Sequence, residues 1–218
     1  MEDYKIAGAG CMVGGEYGNV RVSGSCKISG DISCESIHVS GSTKSEGNID
    51  CRAEARISGA FKCKDLSCTE LRVSGSAKFG ALKCGTAKVS GSVSTDSIEA
   101  DTVSTSGKLE VKGLLNAESI TIGGSAKIGS IGCTELKVNS DCHTVKILWG
   151  LIEVHKGEDE GLRTELIEGD KIDISYTQAD IVRGADVIIG KGCRIHRVEY
   201  TGTCTVDSEA TVDELEKK

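Results

Sequence analysis

The feature that most constrains this chain is a written-out repeat running from Val22 to Val138. An apolar residue followed by Ser-Gly, or a close variant, recurs along it. The glycine falls at Gly24, Gly41, Gly59, Gly75, Gly91, Gly107 and Gly124, and Ser140 takes the next slot. Successive steps are 17, 18, 16, 16, 16, 17 and 16 residues. A period of this length marks a solenoid, in which each unit buries its apolar face only against its neighbours.

Within a repeat the apolar positions come as three pairs, each pair split by one outward residue. In the first full repeat they are Cys26 and Ile28, Ile32 and Cys34, then Ile37 and Val39. Alternation of this kind is strand periodicity, with one face in and one face out. Three short strands per turn, with small residues at the corners, predict an all-β fold, a triangular parallel β-helix with rungs ~4.8 Å apart. The segments are too short, too β-branched and too often cut by glycine for helix. Two compositional facts agree. Proline, which cannot donate to a ladder, is absent, and only 3% of residues are aromatic, which suits a narrow tube better than a thick core.

Along the chain, residues 1–21 read as an irregular first turn, interrupted at Gly14-Gly15, with Ile6, Met12, Val13, Val20 and Val22 near inward slots. Residues 22–140 are the seven regular repeats, in which Cys142 and Thr144 take the inward slots after Ser140. Residues 141–206 read as a looser continuation. There Val145, Ile147, Trp149, Ile152 and Val154 keep strand alternation, and the charged run 156–163 reads as an exposed loop. Residues 207–218 read as a charged tail, frayed or briefly helical. The ends of such a rod carry unpaired strand edges. They are expected around Ile6, Met12, Val13 and Val20 at one end, and Val198, Tyr200 and Val206 at the other.

The eleven cysteines draw attention first, because Cys34, Cys51, Cys68, Cys84 and Cys133 share one column. A straight ladder of thiols does not converge on a metal, and the tight Cys-x-x-Cys spacing of metal sites is absent. Ala100 and Ala117 occupy the same column, so the slot wants a small apolar group, a role free cysteine fills. Neither metal nor cofactor is expected. Of the four histidines, His38 and His143 fall in outward columns, and none has a catalytic partner within its own repeat. No Walker-type Gly-x-x-x-x-Gly-Lys motif is present.

Charge is segregated. Residues 1–140 hold 16 acidic and 16 basic residues, and residues 141–218 hold 17 and 10. The acidic balance argues against nucleic acid as partner. The basic residues nevertheless fall into two outward columns. Lys27, Lys44, Lys62, Lys78 and Lys127 follow the marker, while Arg56, Arg72, Lys88 and Lys137 precede it, with His38. The two columns flank one corner and predict a basic stripe. It reads either as a solvated edge that discourages aggregation or as a docking strip for lipid headgroups or the acidic last third of another copy. No apolar run approaches the ~18 residues of a membrane span, and the opening Met1 to Lys5 does not resemble a secretory signal. A cytoplasmic location is therefore expected, peripheral to the inner membrane face if the stripe binds there, with reduced thiols.

These repeats, with the closing run Ala179 to Tyr200 (ADIVRGADVIIGKGCRIHRVEY), resemble the bactofilins, polymer-forming cytoskeletal proteins of bacteria. The resemblance implies a right-handed β-helix that joins end to end, without nucleotide, into non-polar filaments. Such filaments scaffold cell-envelope, shape or motility components, so the expected partner is the protein itself and the expected role non-catalytic. The alternative is an acyltransferase of the hexapeptide-repeat kind, suggested by Ile189-Gly190-x-Gly-x-x-Ile195. Those enzymes keep strict six-residue units, and a period drifting between 16 and 18 does not.

Overall fold

A computed structural model of the protein describes residues 1–139 and 161–218. It is all-β, a parallel β-solenoid of about twelve turns. Every strand pairing is parallel, and each rung lies directly on the next: Met12 pairs with Ile28, Ile28 with Ser45, and Ser92 with both Ser76 and Lys108. Each turn has three sides. In one turn these are formed by Ser42–Ser45, followed by the first and second halves of Ile49–Ile57.

The alternation read from sequence is realised side chain by side chain. Ile49–Ile57 buries Ile49, Cys51, Ala55 and Ile57, and leaves Asp50, Arg52 and Arg56 outside. The interior is one continuous core from Ile6 to Val198. Polar inward residues are small: Thr43, Ser45, Thr95, Thr105 and Thr177 are all buried. Several bond back to the wall, as Thr95 Oγ1 does by donating to the Gly80 carbonyl at 2.7 Å.

The corner glycines set the rung spacing. A Cβ placed on Gly59 would lie 1.9 Å from the carbonyl oxygen of Gly41 beneath it, and one on Gly75 would lie 2.1 Å from that of Gly59. The recurring Ser-Gly is thus imposed by close approach of stacked backbones, because only a hydrogen fits between them.

Three expectations are adjusted. The first turn is built of strands, and its irregularity sits at Gly14-Gly15 as read from the sequence. The strands Tyr4–Ile6 and Ala9–Val22 are in place, the first pairing with Val20 to Val22, with one register shift between Val13 and Gly15. Val13, next to buried Met12, faces outward by simple alternation and is 66% exposed. Second, residues 207–218 are neither frayed nor helical. Thr211–Lys217 is a strand paired with Arg194–Tyr200, and Leu215 lies over Val198. Its charges hide a workable apolar pattern, in which Val212 and Leu215 extend inward columns while Glu214 and Glu216 meet Arg197.

Third, the slots assigned to Cys142 and Thr144 belong to Leu162 and Thr164. Ala126 pairs with Leu162 and Val138 with Ile174, so one step of the ladder spans 36 residues (138 to 174). Leu162, within the run 156–163 read as an exposed loop, is instead buried at 1% exposure. Cys142, Thr144, the alternation from Val145 to Val154, His143, His155 and Lys156 to Glu160 lie outside the described residues. Beyond them the solenoid resumes in register and continues to Lys217.

Candidate assembly faces and a basic edge

The expected end residues separate into two groups. Met12 and Val20 are interior, at 1% and 0% exposure, and Ile6 is buried at 8%, where it fills the space beside Gly10. Tyr4 and Tyr17 meet edge to face there, ring centroids 5.5 Å apart, and the Tyr17 hydroxyl donates to the Val13 carbonyl at 2.9 Å. This end is floored by its own side chains. At the other end Val198 is covered by Leu215, so it is core rather than surface. Tyr200 is half-buried, with the Lys217 ammonium 5.8 Å from its ring centroid. Here the inward columns reach the boundary open: Val206 is 38% and Leu215 54% exposed. Leu215 went unnoticed in the sequence because the acidic residues around it disguise the repeat.

The basic stripe is real but shorter at one end and longer at the other than the spacing suggested. Lys27, Lys44, Lys62 and Lys78 pair directly in successive rungs; Ser94 and Glu110 then interrupt, and Lys127 stands apart. The second column runs Lys5, Arg21, His38, Arg56, Arg72 and Lys88 without a break. Ser104 and Thr121 follow, and Lys137 is isolated beyond them. Lys5 and Arg21 precede the first Ser-Gly marker, so the repeat alone does not place them in this column.

Acidic neighbours balance the second column. Glu54 accepts from Arg56 at 2.8 Å and lies 3.2 Å from Arg72 and 3.5 Å from His38. Glu70 lies 2.7 Å from Arg72 and 3.4 Å from Lys88. The bonded Arg56 guanidinium holds the Glu54 carboxyl below its ordinary range. In the first column Lys27 pairs with Glu46 at 2.9 Å, whereas Lys44, Lys62 and Lys78 make no ion pair among the described residues. Exposed pairs of this sort contribute ~1 kcal/mol or less.

Cys34, Cys51, Cys68 and Cys84 stack rung on rung inside the tube. The neighbouring Cys51 thiol and burial together push the Cys34 thiol up, and burial pushes Cys63 up to about 12. No cluster of three or more metal-ligating side chains occurs among the described residues. His38 and His196 do have carboxylate partners, supplied by adjacent rungs: Glu54, and Asp213 at 3.1 Å. Spacing within a repeat could not reveal them. In the hexapeptide-like run, Ile189, Cys193 and Ile195 all point inward. The rungs around it step by 15 to 17 residues: Leu162 to Thr177, Gln178 to Arg194, Val187 to Cys204.

No family model matches the chain, and no solved structure matches it. It is similar to two proteins of Bacillus subtilis (strain 168). One is the uncharacterized protein YhbE, 52% identical over 52 residues, which are 24% of this chain and 22% of that protein. The other is the uncharacterized protein YhbF, 41% identical over 56 residues, 26% of this chain and 24% of that protein. The aligned stretch thus spans about a quarter of either relative.

Proposed function

We propose that this solenoid is a structural rod that assembles end to end into nucleotide-independent, bactofilin-like filaments and scaffolds other cellular components. The observation that carries the reading is the open boundary formed by Cys204–Val206 and Thr211–Lys217. The outer edges of these strands, like that of Tyr4–Ile6 at the opposite end, have no strand neighbour among the described residues, and Val206 and Leu215 continue the core columns into solvent. A further rung from a second molecule would satisfy that backbone and cover those side chains. The absence of a metal-ligand cluster is compatible with this reading but carries none of it.

Negative-stain electron microscopy of the reduced protein, with no nucleotide added, tests it. Unbranched filaments a single rod wide are expected, and Val206→Asp with Leu215→Asp should leave short rods with an unchanged circular dichroism spectrum. A wild-type protein that stays monomeric at every concentration and salt would overturn the proposal.

A further inference from the structure

We propose that the basic edge of the first six turns is a docking strip for an anionic lipid surface. Its two columns lie on either side of one row of corners. Lys27, Lys44, Lys62 and Lys78 are on one side, and Lys5 to Lys88 on the other. The corners between them are Ser40-Gly41-Ser42, Ser58-Gly59-Ala60 and Ser74-Gly75-Ser76, small enough to leave the flanking cations unshielded. From Lys5 to Lys88 the strip is five rung spacings long, about 24 Å.

Shape selects the partner. The edge of a triangular rod is straight and convex, so it can lie along a plane, with long lysine stems reaching down on both sides. Single-stranded nucleic acid is held in grooves furnished with aromatic stacking platforms. This edge has neither, since the nearby aromatic residues Phe61 and Phe79 are inside the tube.

Charge placement orients the rod. In the same turns Glu16 and Asp50 project from a different side, and Asp31 and Asp65 sit at its margin. Glu46, Glu54 and Glu70 are paired with cations on the basic edge itself, and these further carboxylates lie away from it. At physiological salt the screening length is about 8 Å, so a surface touching the basic edge scarcely feels the acids across the tube. Net negative charge is therefore no bar to binding. Lys44, Lys62 and Lys78, unclaimed by ion pairs among the described residues, supply the attraction that Glu54 and Glu70 do not cancel.

The strip runs along the side of the rod, so this proposal stands apart from end-to-end assembly. Vesicle flotation reads it whether rods are single or joined. The full chain is floated with phosphatidylcholine vesicles containing or lacking phosphatidylglycerol. Binding is expected only with the anionic lipid, and should vanish near 1 M salt. A lysine beside such a surface is worth about fivefold in affinity. The triple variant Lys44→Gln, Lys62→Gln, Lys78→Gln should therefore bind at least tenfold more weakly. The control Lys83→Gln, Lys112→Gln, Lys171→Gln removes the same charge elsewhere and should bind as the wild type does. Equal binding to neutral vesicles, an unaffected edge variant, or an equal loss in the control would each overturn the proposal. Capture of a single-stranded oligonucleotide more tightly than anionic vesicles would make the partner nucleic acid and overturn it as well.

Discussion

Adjacent glycines at one corner should respond to substitution in opposite ways. Gly124 occupies the marker position, where a Cβ would lie 2.2 Å from the Gly107 oxygen and 2.6 Å from that of Ser106. Restoring even a 3.0 Å contact moves one rung by about 0.8 Å, and both atoms to be displaced are backbone. The shift strains the flanking ladder bonds, Gly123 N–H to Thr105 O at 2.7 Å and Ser125 N–H to Gly107 O at 3.0 Å. Each is worth about 1 kcal/mol, and overpacking adds about 1–3 kcal/mol. Gly124→Ala should therefore cost about 3 kcal/mol. With a urea slope of about 2 kcal/mol per M, the midpoint falls by about 1.5 M. At Gly123 the nearest atoms to a new Cβ are 3.6 and 3.8 Å away, ordinary contact distances. Serine already fills the equivalent place at Ser23, Ser40, Ser58, Ser74, Ser90 and Ser106. Gly123→Ser should be neutral or stabilising by about 0.5 kcal/mol, through a less flexible unfolded chain. Urea unfolding followed by circular dichroism gives both midpoints. If Gly124→Ala unfolds with the wild type, or Gly123→Ser falls as far as Gly124→Ala, close backbone approach is not what fixes these corners.

Two further measurements probe the interior and the last strands. Alkylation of the native protein at pH 8, read by peptide mass spectrometry, should label exposed Cys11 first. Cys34, Cys51, Cys63, Cys68 and Cys84 should stay protected until urea unfolds the rod, because the tube excludes the reagent and Cys63 titrates only near 12. Rapid labelling of that column would mean the tube opens. His196 should titrate above its ordinary 6.5, held up chiefly by the bonded Asp213 carboxylate on the neighbouring strand. A raised folded-state value stabilises the protonated form. The pair's contribution is therefore fully present below pH 6.5 and lost as pH rises through the raised value. A proton NMR titration of His196, repeated in Asp213→Asn, should show the value return toward 6.5; no change on substitution would sink the assignment.

What was legible in the sequence is what each repeat states for itself. The inward residues of Ile49–Ile57 or Ser97–Thr105 follow from alternation alone, because period-two burial leaves no other face for them. The corners were equally plain, since a backbone approach that excludes every Cβ leaves glycine in repeat after repeat. What a single repeat does not state is its column, because a column is a relation between rungs. Met12 and Val13 are adjacent and both apolar, so only one can face inward, and pairing with Ile28 gives that place to Met12. Leu215 was hidden because charge outweighed pattern in a short segment whose acids find Arg197 across the rung. The basic edge needed the structure most. That Lys127 and Lys137 stand outside it, and Lys5 and Arg21 inside, depends on which residues stack.

The long step between turns makes the same point as a test. Val138 and Ile174 are rung partners just as Ile122 and Val138 are, although one step spans 36 residues (138 to 174) and the other 16 (122 to 138). In a solenoid, stability is nearly a sum over rungs and their contacts with neighbours. Such additivity predicts that the ladder depends on the segment between Val138 and Leu162 only through its two ends. At an ordinary corner three residues separate inward side chains, as Ser40-Gly41-Ser42 separate Val39 from Thr43. Replacing residues 140–161 by Gly-Ser leaves Asn139-Gly-Ser between Val138 and Leu162, the same count. The new serine carbonyl takes the place of the Gly161 oxygen that accepts from Ala126 N–H at 2.9 Å. Closing a shorter loop costs slightly less entropy, since each halving of loop length recovers about 0.6 kcal/mol. The shortened protein should therefore keep its strand signal, with a urea midpoint at or slightly above that of the wild type. A collapse of stability would show that the replaced residues contribute contacts of their own, and the rod could no longer be treated as a sum of its rungs.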